Sequence, residues 1–97
     1  MIYPDPKIMN DNASQIRNIA ERISHLNNVN LTNAANSIAA VWKGDAANRY
    51  LSHCATTREE IAKLVRELHA EADDNERAAR ELGELIKQME QAAGKQL

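Results

Sequence analysis

The sequence predicts an all-α fold, an antiparallel helix-turn-helix hairpin that pairs with a second hairpin into a four-helix bundle. Two long segments carry apolar residues at helical spacing, and both prolines of the chain, Pro4 and Pro6, lie at its start. Gly44 and Asp45 separate the two segments near the middle of the 97 residues. A chain this short that contains no Phe has a thin core by itself, so a partner chain is expected.

One domain is expected over residues 1–97, because a chain of this length supports a single small core. Helix one is predicted over about 6–42 and helix two over about 46–92, with a turn at 43–45 and a frayed tail at 93–97. Both helices are expected to be long, because no proline follows the start of helix one.

Helix one is predicted to begin with Asp5 as its N-cap and Pro6 at the first helical position, where the missing N–H of proline costs nothing. An apolar stripe with steps of three and four residues follows, formed by Ile16, Ile19, Ile23 and Leu26. The next apolar residue of the stripe is Leu31, five residues after Leu26 and across the segment NNVN, which has poor helix propensity. We therefore expect a continuous helix with a bend or loosened turn there; a break into two helices is the alternative.

Helix two shows a seven-residue repeat, which runs through Ala47, Cys54, Ile61, Leu68, Asn75, Leu82 and Met89. Companion positions three residues later include Tyr50, Thr57, Leu64, Glu71, Ala78 and Leu85. A helix over 46–92 is about 70 Å long and must pack along its length against other helices. The residues expected to form the dimer or bundle seam are Ile16, Ile19, Ile23, Leu26, Ile38, Ile61, Leu64, Leu68, Leu82, Leu85 and Met89.

Two polar features of helix two carry expectations of their own. Asp73 with Arg77 and Glu76 with Arg80 are spaced for ion pairs along one helix. Asn75 falls on the seam, where it either fixes the register and the choice of partner or faces water at a thinned end of the bundle. The residues leave that choice open.

In the turn, one helix is predicted to end and the next to begin at adjacent residues. Gly44 suits C′ of helix one, because glycine adopts a left-handed conformation without a Cβ penalty. Asp45 suits the N-cap of helix two. The only tryptophan, Trp42, lies in the last turn of helix one, where its ring can fold onto the small residues that follow or onto Tyr50. Without any family resemblance, the residues predict that Trp42 is an apolar side chain that closes the end of the hairpin by packing, which we call a structural plug.

Composition excludes several classes of function. The 12 basic and 14 acidic residues give a net charge of −2, so the basic face of a nucleic-acid-binding protein is missing. The single cysteine, Cys54, cannot form an internal disulfide and is expected to be a small core residue. No apolar run approaches the roughly 18 residues of a membrane span, and the N-terminus lacks the pattern of a cleaved signal peptide.

No catalytic, cofactor-binding or metal-binding residue is predicted. The histidines His25, His53 and His69 do not share a helix face at close spacing, and His69 with Asp73 supplies only two ligands where zinc takes three or four. No glycine-rich phosphate loop, nucleophile triad or paired carboxylate is visible. We expect neither an enzyme nor a small-molecule ligand.

The tripeptide Trp42-Lys43-Gly44, near the centre of about 100 residues and between two long helices, resembles the signature of the WXG family. These are small helical hairpins, similar to the early secreted antigenic target, that type VII secretion systems export. The resemblance covers the whole chain and includes the start Ile2-Tyr3-Pro4, the small residues after the glycine, and the aromatic Tyr50.

The resemblance implies a dimeric four-helix bundle without catalysis, exported through the secretion ATPase of an ESX or Ess system without a cleaved signal peptide. Trp42 and Gly44 would form the secretion-motif turn, which Asp45 and Tyr50 support. In the family this turn lies beside the C-terminal export motif of the partner, an aromatic residue followed four residues later by an acid. The tail ELIKQMEQAAGKQL contains no Tyr or Phe, so this chain departs from the pattern there.

That departure favours a second chain that carries the export signal. We expect a homodimer in isolation, with a heterodimer with another WXG-like chain or with the helical N-terminal domain of a toxin as the alternative. The function expected is that of a secreted substrate, or of a partner and adaptor for a larger toxin. The competing hypothesis is a cytoplasmic helical-bundle regulator with no role in secretion.

Overall fold

The predicted all-α hairpin is confirmed in a computed structural model, which describes residues 5–95. Helix α1 spans Pro6–His25, a π-helical turn spans Leu26–Leu31, and α2 spans Thr32–Val41. These three pieces form one continuous rod, and α3, Asp45–Lys95, returns antiparallel to it. The molecule measures 80 × 16 × 16 Å. Helix α3 continues to Lys95, three residues beyond the end expected from the sequence.

Helix α1 begins as its sequence predicts. Asp5 has extended backbone angles (φ −87°, ψ 118°), and its Oδ1 accepts a hydrogen bond of 2.9 Å from the backbone N–H of Lys7. Pro6 occupies the first turn, where no intrahelical N–H bond is required. The side chain of Asp5 thus satisfies one of the donors that every helix N-terminus leaves free.

The loosened turn expected at NNVN is confirmed as the π-helical turn Leu26–Leu31. Residues of the rod that face α3 recur every seven positions at Ala13, Ala20 and Asn27, whereas the next one, Ala35, follows after eight. A π-turn accommodates one extra residue, so it keeps the same face of the rod directed at α3. The step of five from Leu26 to Leu31 matches the i→i+5 hydrogen-bond spacing of a π-helix.

Alanines form the contact between the two halves of the hairpin. The buried apolar residues are Ala13, Ala20, Ala35, Ala47, Ala72 and Ala79. Because alanine is small, the helix axes can approach closely, and large side chains cannot fit between them. The larger apolar residues therefore lie on one side of this contact, partly or largely exposed.

Ion pairs flank the alanine contact on the side opposite the large apolar residues. Arg17 binds Asp73 through one guanidinium nitrogen and Glu76 through Nε, at 3.0 Å. His69 Nε2 lies 3.1 Å from a carboxylate oxygen of Glu21. The prediction that Asp73 and Glu76 pair with arginines of their own helix is wrong, because the antiparallel return places Arg17 between them.

The ion pairs of Arg17, which we call the Arg17 clamp, shift the pKa of Asp73 and that of Arg17 itself. Hydrogen bonds from Arg17 hold the pKa of Asp73 below its ordinary value, because they stabilise the ionised carboxylate. The bonds to Glu76 and Asp73 in turn raise the pKa of Arg17. Each of these groups is partly or largely exposed, so the clamp contributes chiefly orientation between α1 and α3.

Candidate functional site

The turn between the two halves of the hairpin is built differently from its sequence prediction. Trp42 ends helix one in an extended conformation (φ −112°, ψ 122°), with its N–H donating to the carbonyl of Ile38 at 2.9 Å. The ammonium of Lys43 donates to the carbonyl of Ala39 at 2.7 Å and so satisfies a free acceptor of the helix end.

Gly44 starts the second helix instead of ending the first. Its φ is +107°, as expected for a glycine-dependent turn, and its carbonyl accepts the N–H of Asn48 at 3.0 Å. This is the hydrogen bond of an N-cap, so the predictions of Gly44 as C′ and Asp45 as N-cap are wrong. Asp45 is the first residue of α3, where its carboxylate still lies at the positive end of the helix dipole.

Trp42 and Tyr50 form an aromatic pair across the turn. Their ring centroids are 5.7 Å apart with an interplanar angle of 49°. The pair stays accessible, since Trp42 is 43% and Tyr50 47% exposed, and Val41 beside it is 84% exposed. The expected contact with Tyr50 is thus present, and the turn presents an apolar surface at the end of the rod.

The large apolar residues form one outward face of the hairpin, which we call the apolar face. Ile16, Ile23, Ile38, Ile61, Leu68 and Leu82 are half-buried there, whereas Ile19, Leu26, Leu64, Leu85 and Met89 are exposed. Such a row of exposed large side chains is typical of interaction surfaces. All of these are residues that the sequence assigned to the seam of a bundle.

Two cavities indent the apolar face on either side of Leu31. The one nearer the turn has a volume of about 300 Å³ and is lined by Leu31, Ala34, Ile38, Tyr50, Cys54 and Thr57, among others. The second has about 280 Å³ and is lined chiefly by Ile23, Leu26, Asn30, Leu31, Ile61 and Leu64. The face therefore offers holes for the side chains of another helix.

The polar residues of the sequence analysis are scattered over the hairpin. His53 reaches the rim of the first cavity, His25 is exposed, and His69 lies beside Glu21. Cys54 is half-buried in the wall of the first cavity. Asn75 is half-buried on α3. Within residues 5–95 no three His, Cys, Asp or Glu side chains converge on a point suited to a metal ion.

One buried polar group was not predicted. Asn27 is 4% exposed and donates from Nδ2 to the carbonyl of Arg58 at 3.0 Å. The guanidinium of Arg58 donates to Thr32 at 2.9 Å, which ties the π-turn to α3. The signal was available in the sequence, because a step of seven from Ala13 and Ala20 leads to Asn27.

The fold and this surface define a small helical hairpin with an uncovered apolar face. The chain matches the family described as "WXG100: Proteins of 100 residues with WXG" over residues 2–95. It belongs to the WXG100 family. No curated protein and no solved structure gives a significant match.

Family membership carries a general function. WXG100 proteins are small helical proteins of the type VII secretion substrate type, secreted without a signal peptide and not known as enzymes. They typically form dimers with other WXG-like partners. In the described part of this chain, no helix has the length and apolarity to cross a bilayer.

Proposed function

We propose that this protein is a non-enzymatic substrate of a type VII (ESX or Ess) secretion system, or the partner and adaptor of a larger toxin substrate. It acts through dimerisation and through the Trp-x-Gly turn. The observation that carries the proposal is the accessible pair Trp42 and Tyr50, held by Gly44 at the end of a hairpin whose apolar face is uncovered.

The apolar face supports dimerisation. The buried apolar residues of the described chain are all alanines, so the partly exposed isoleucines and leucines gain further burial against another chain. A second hairpin has the matching length and shape, and stacking two such faces gives a four-helix bundle. In isolation the occupant is a second copy of this chain; in the cell, another WXG-like chain or the helical N-terminal domain of a toxin takes the same face.

The turn supports recognition by the secretion machinery. Trp42 ends helix one in an extended conformation, and about two-fifths of its surface stays open despite the contact with Tyr50. Aromatic residues with an accessible face are frequent anchors of protein interfaces. Residues 51–97 contain no Tyr or Phe, which supports the proposal that another polypeptide supplies the complementary export motif and that the complex is delivered to the secretion ATPase together.

The decisive experiment compares Trp42→Ala with Val41→Ala, its exposed neighbour, in cells with and without the secretion ATPase. We expect the protein in the culture supernatant only when the ATPase is present. Trp42→Ala should abolish that export while its thermal midpoint stays within a few degrees of wild type, and Val41→Ala should be exported normally. Unfolding of Trp42→Ala would support a purely structural plug.

Retention of the wild-type protein in the cytoplasm, regardless of the ATPase, contradicts export and supports the alternative of a cytoplasmic helical-bundle regulator. Light scattering of the purified chain tests dimerisation separately. A dimer of about twice the chain mass is expected, and a monomer at high concentration contradicts self-pairing.

A further inference from the structure

The end of the hairpin opposite the turn is uneven, because α3 is longer than the rod beside it. The rod begins at Pro6, and a Cβ placed on Gly83 would lie 4.0 Å from the ring of Pro6. Helix α3 continues to Lys95, so residues 84–95, which we call the overhang, extend about 18 Å past the start of the rod. No helix of the described chain lies beside the overhang.

The seam by which α3 packs on the rod continues into the overhang with larger side chains. Ala72 and Ala79 are buried, at 0% and 2% exposure, and a further step of seven leads to the half-buried Ile86. Met89 follows three residues after Ile86 and is 40% exposed. The seam therefore carries alanine where the rod packs closely and large apolar side chains where the rod has ended. Such side chains gain burial from a segment that covers the overhang.

The residues that precede the rod have the composition of such a segment. Residues 1–4 have the sequence MIYP and lie outside the described part of the chain. Proline disfavours the helical conformation of the residue before it, so Pro4 favours an extended backbone at Tyr3. Asp5, which precedes Pro6, has extended backbone angles of this kind. The sequence therefore predicts a short extended segment with apolar side chains next to the overhang.

The reach of this segment matches the overhang. An extended backbone spans about 3.3 Å per residue, so Tyr3 reaches about 10 Å from Pro6. A helix rises about 1.5 Å per residue, so the same distance along α3 ends about six to seven residues beyond Gly83. A segment that continues the direction of the rod therefore brings Tyr3 level with Met89.

Tyrosine and methionine are suited to this contact. A thioether sulfur packs favourably against an aromatic ring. The ring of tyrosine covers apolar surface while its hydroxyl stays in water. Ile86, three residues before Met89, adds apolar surface next to the thioether.

We propose that residues 1–4 form a strap that runs extended along the overhang, with the ring of Tyr3 packed on Ile86 and Met89 of the same chain. The strap goes beyond the proposed function and does not depend on it, because no second chain takes part. It closes the end of the hairpin opposite the turn with an aromatic ring, as an aromatic pair does at the turn. It also removes Met89 from the surface that is open to a partner.

Disulfide trapping tests the strap. In a Cys54→Ser background, Tyr3→Cys is combined with Met89→Cys or, as the matched control, with Gln88→Cys. Position 88 is exposed and lies about 160° round the helix from Ile86. In a glutathione redox buffer, we expect the intrachain disulfide to position 89 to be favoured about tenfold or more over that to position 88.

Equal disulfide equilibria at positions 88 and 89 are the result for an untethered segment, and they overturn the strap. Cross-linked species of twice the chain mass also overturn it, because they show that another chain covers the overhang.

A second measurement introduces no cysteine. Tyr3→Ala should lower the thermal midpoint of the wild-type chain by a few degrees, and by roughly half of that or less in a Met89→Ala chain, because residues in contact are energetically coupled. In a Leu64→Ala chain, altered at an exposed leucine far from the overhang, Tyr3→Ala should have its full effect. No effect of Tyr3→Ala, or the same effect in all three chains, overturns the contact between Tyr3 and Met89.

Discussion

Trp42 and Tyr50 lie with their ring centroids 5.7 Å apart across the turn, tilted by 49°. The eight-residue interval between them contains the end of one helix, the glycine and the start of the next helix. This contact ties the signature tryptophan to α3. It fixes the orientation of the indole without burying it.

Tyr50→Ala should free the indole of Trp42. Aromatic pairs contribute about 0.5–1.5 kcal/mol beyond the area they bury, so we expect a loss of roughly 1 kcal/mol in the free energy of unfolding. Urea denaturation followed by tryptophan fluorescence measures both the loss and the changed surroundings of the indole. Tyr50→Phe keeps the ring and should match wild type; an equal loss in both variants contradicts the role of the ring pair.

Gly44→Ala should destabilise the hairpin through its backbone alone. The φ of +107° is unfavourable for any residue with a Cβ, although the added atom meets nothing within 4 Å. We expect a cost of about 1–3 kcal/mol by chemical denaturation. Gly83→Ala is the matched control, because this helical glycine has only an ordinary contact at 4.0 Å, and its replacement should stabilise by roughly 0.5–1 kcal/mol. The same sign for both substitutions would disprove the strained turn.

Deletion of Val29 should be tolerated. The residue is 41% exposed within the π-turn, and its removal restores a seven-residue step between Asn27 and Ala35. We expect a folded hairpin with a thermal midpoint within a few degrees of wild type by circular dichroism. Deletion of Asn18 in α1 rotates the preceding residues by about 100° and should lower the midpoint by more than about 10 °C. Similar decreases of the thermal midpoint in the two deletion variants would contradict the interpretation that the π-turn accommodates one extra residue.

The stabilisation from Asp73 should depend on pH. Arg17 lowers the pKa of Asp73 in the folded state below that in the unfolded chain, so the unfolded chain binds the proton more readily. The contribution is therefore present at pH values above about 4 and is lost as the pH falls through the lower folded pKa.

Asp73→Asn should accordingly be less stable than wild type at pH 7, with the difference disappearing toward pH 2 in urea unfolding. Asp74→Asn is the control, because among the described residues Asp74 pairs with Arg77 of the same helix and not across the hairpin. Its difference from wild type should be smaller at pH 7. A gap for Asp73→Asn that persists at low pH would contradict the ionic origin of the effect.

The sequence by itself determined the helices and the irregularity within them. Asp5 and Pro6 specify the helix start through local chemistry, since the cap and the proline act within three residues. The phase shift from Leu26 to Leu31 indicated a bend or loosened turn, and only the structure identified it as a π-turn. Trp42 and Gly44, together with length and layout, sufficed to indicate the family.

Only the tertiary structure decided which stripe of each helix faces the other. On α3, Ala72 and Ala79 belong to one stripe, and Leu68 and Leu82 belong to another on the adjacent face. Both stripes repeat with the same period, so periodicity alone cannot show which of them packs inside the hairpin. The close approach of two antiparallel helices selects the smaller side chains for the contact and leaves the larger ones outward. In the same way, Arg17 forms ion pairs with Asp73 and Glu76, which lie 56 and 59 residues away in the sequence. These pairs exist only once the chain has folded back on itself.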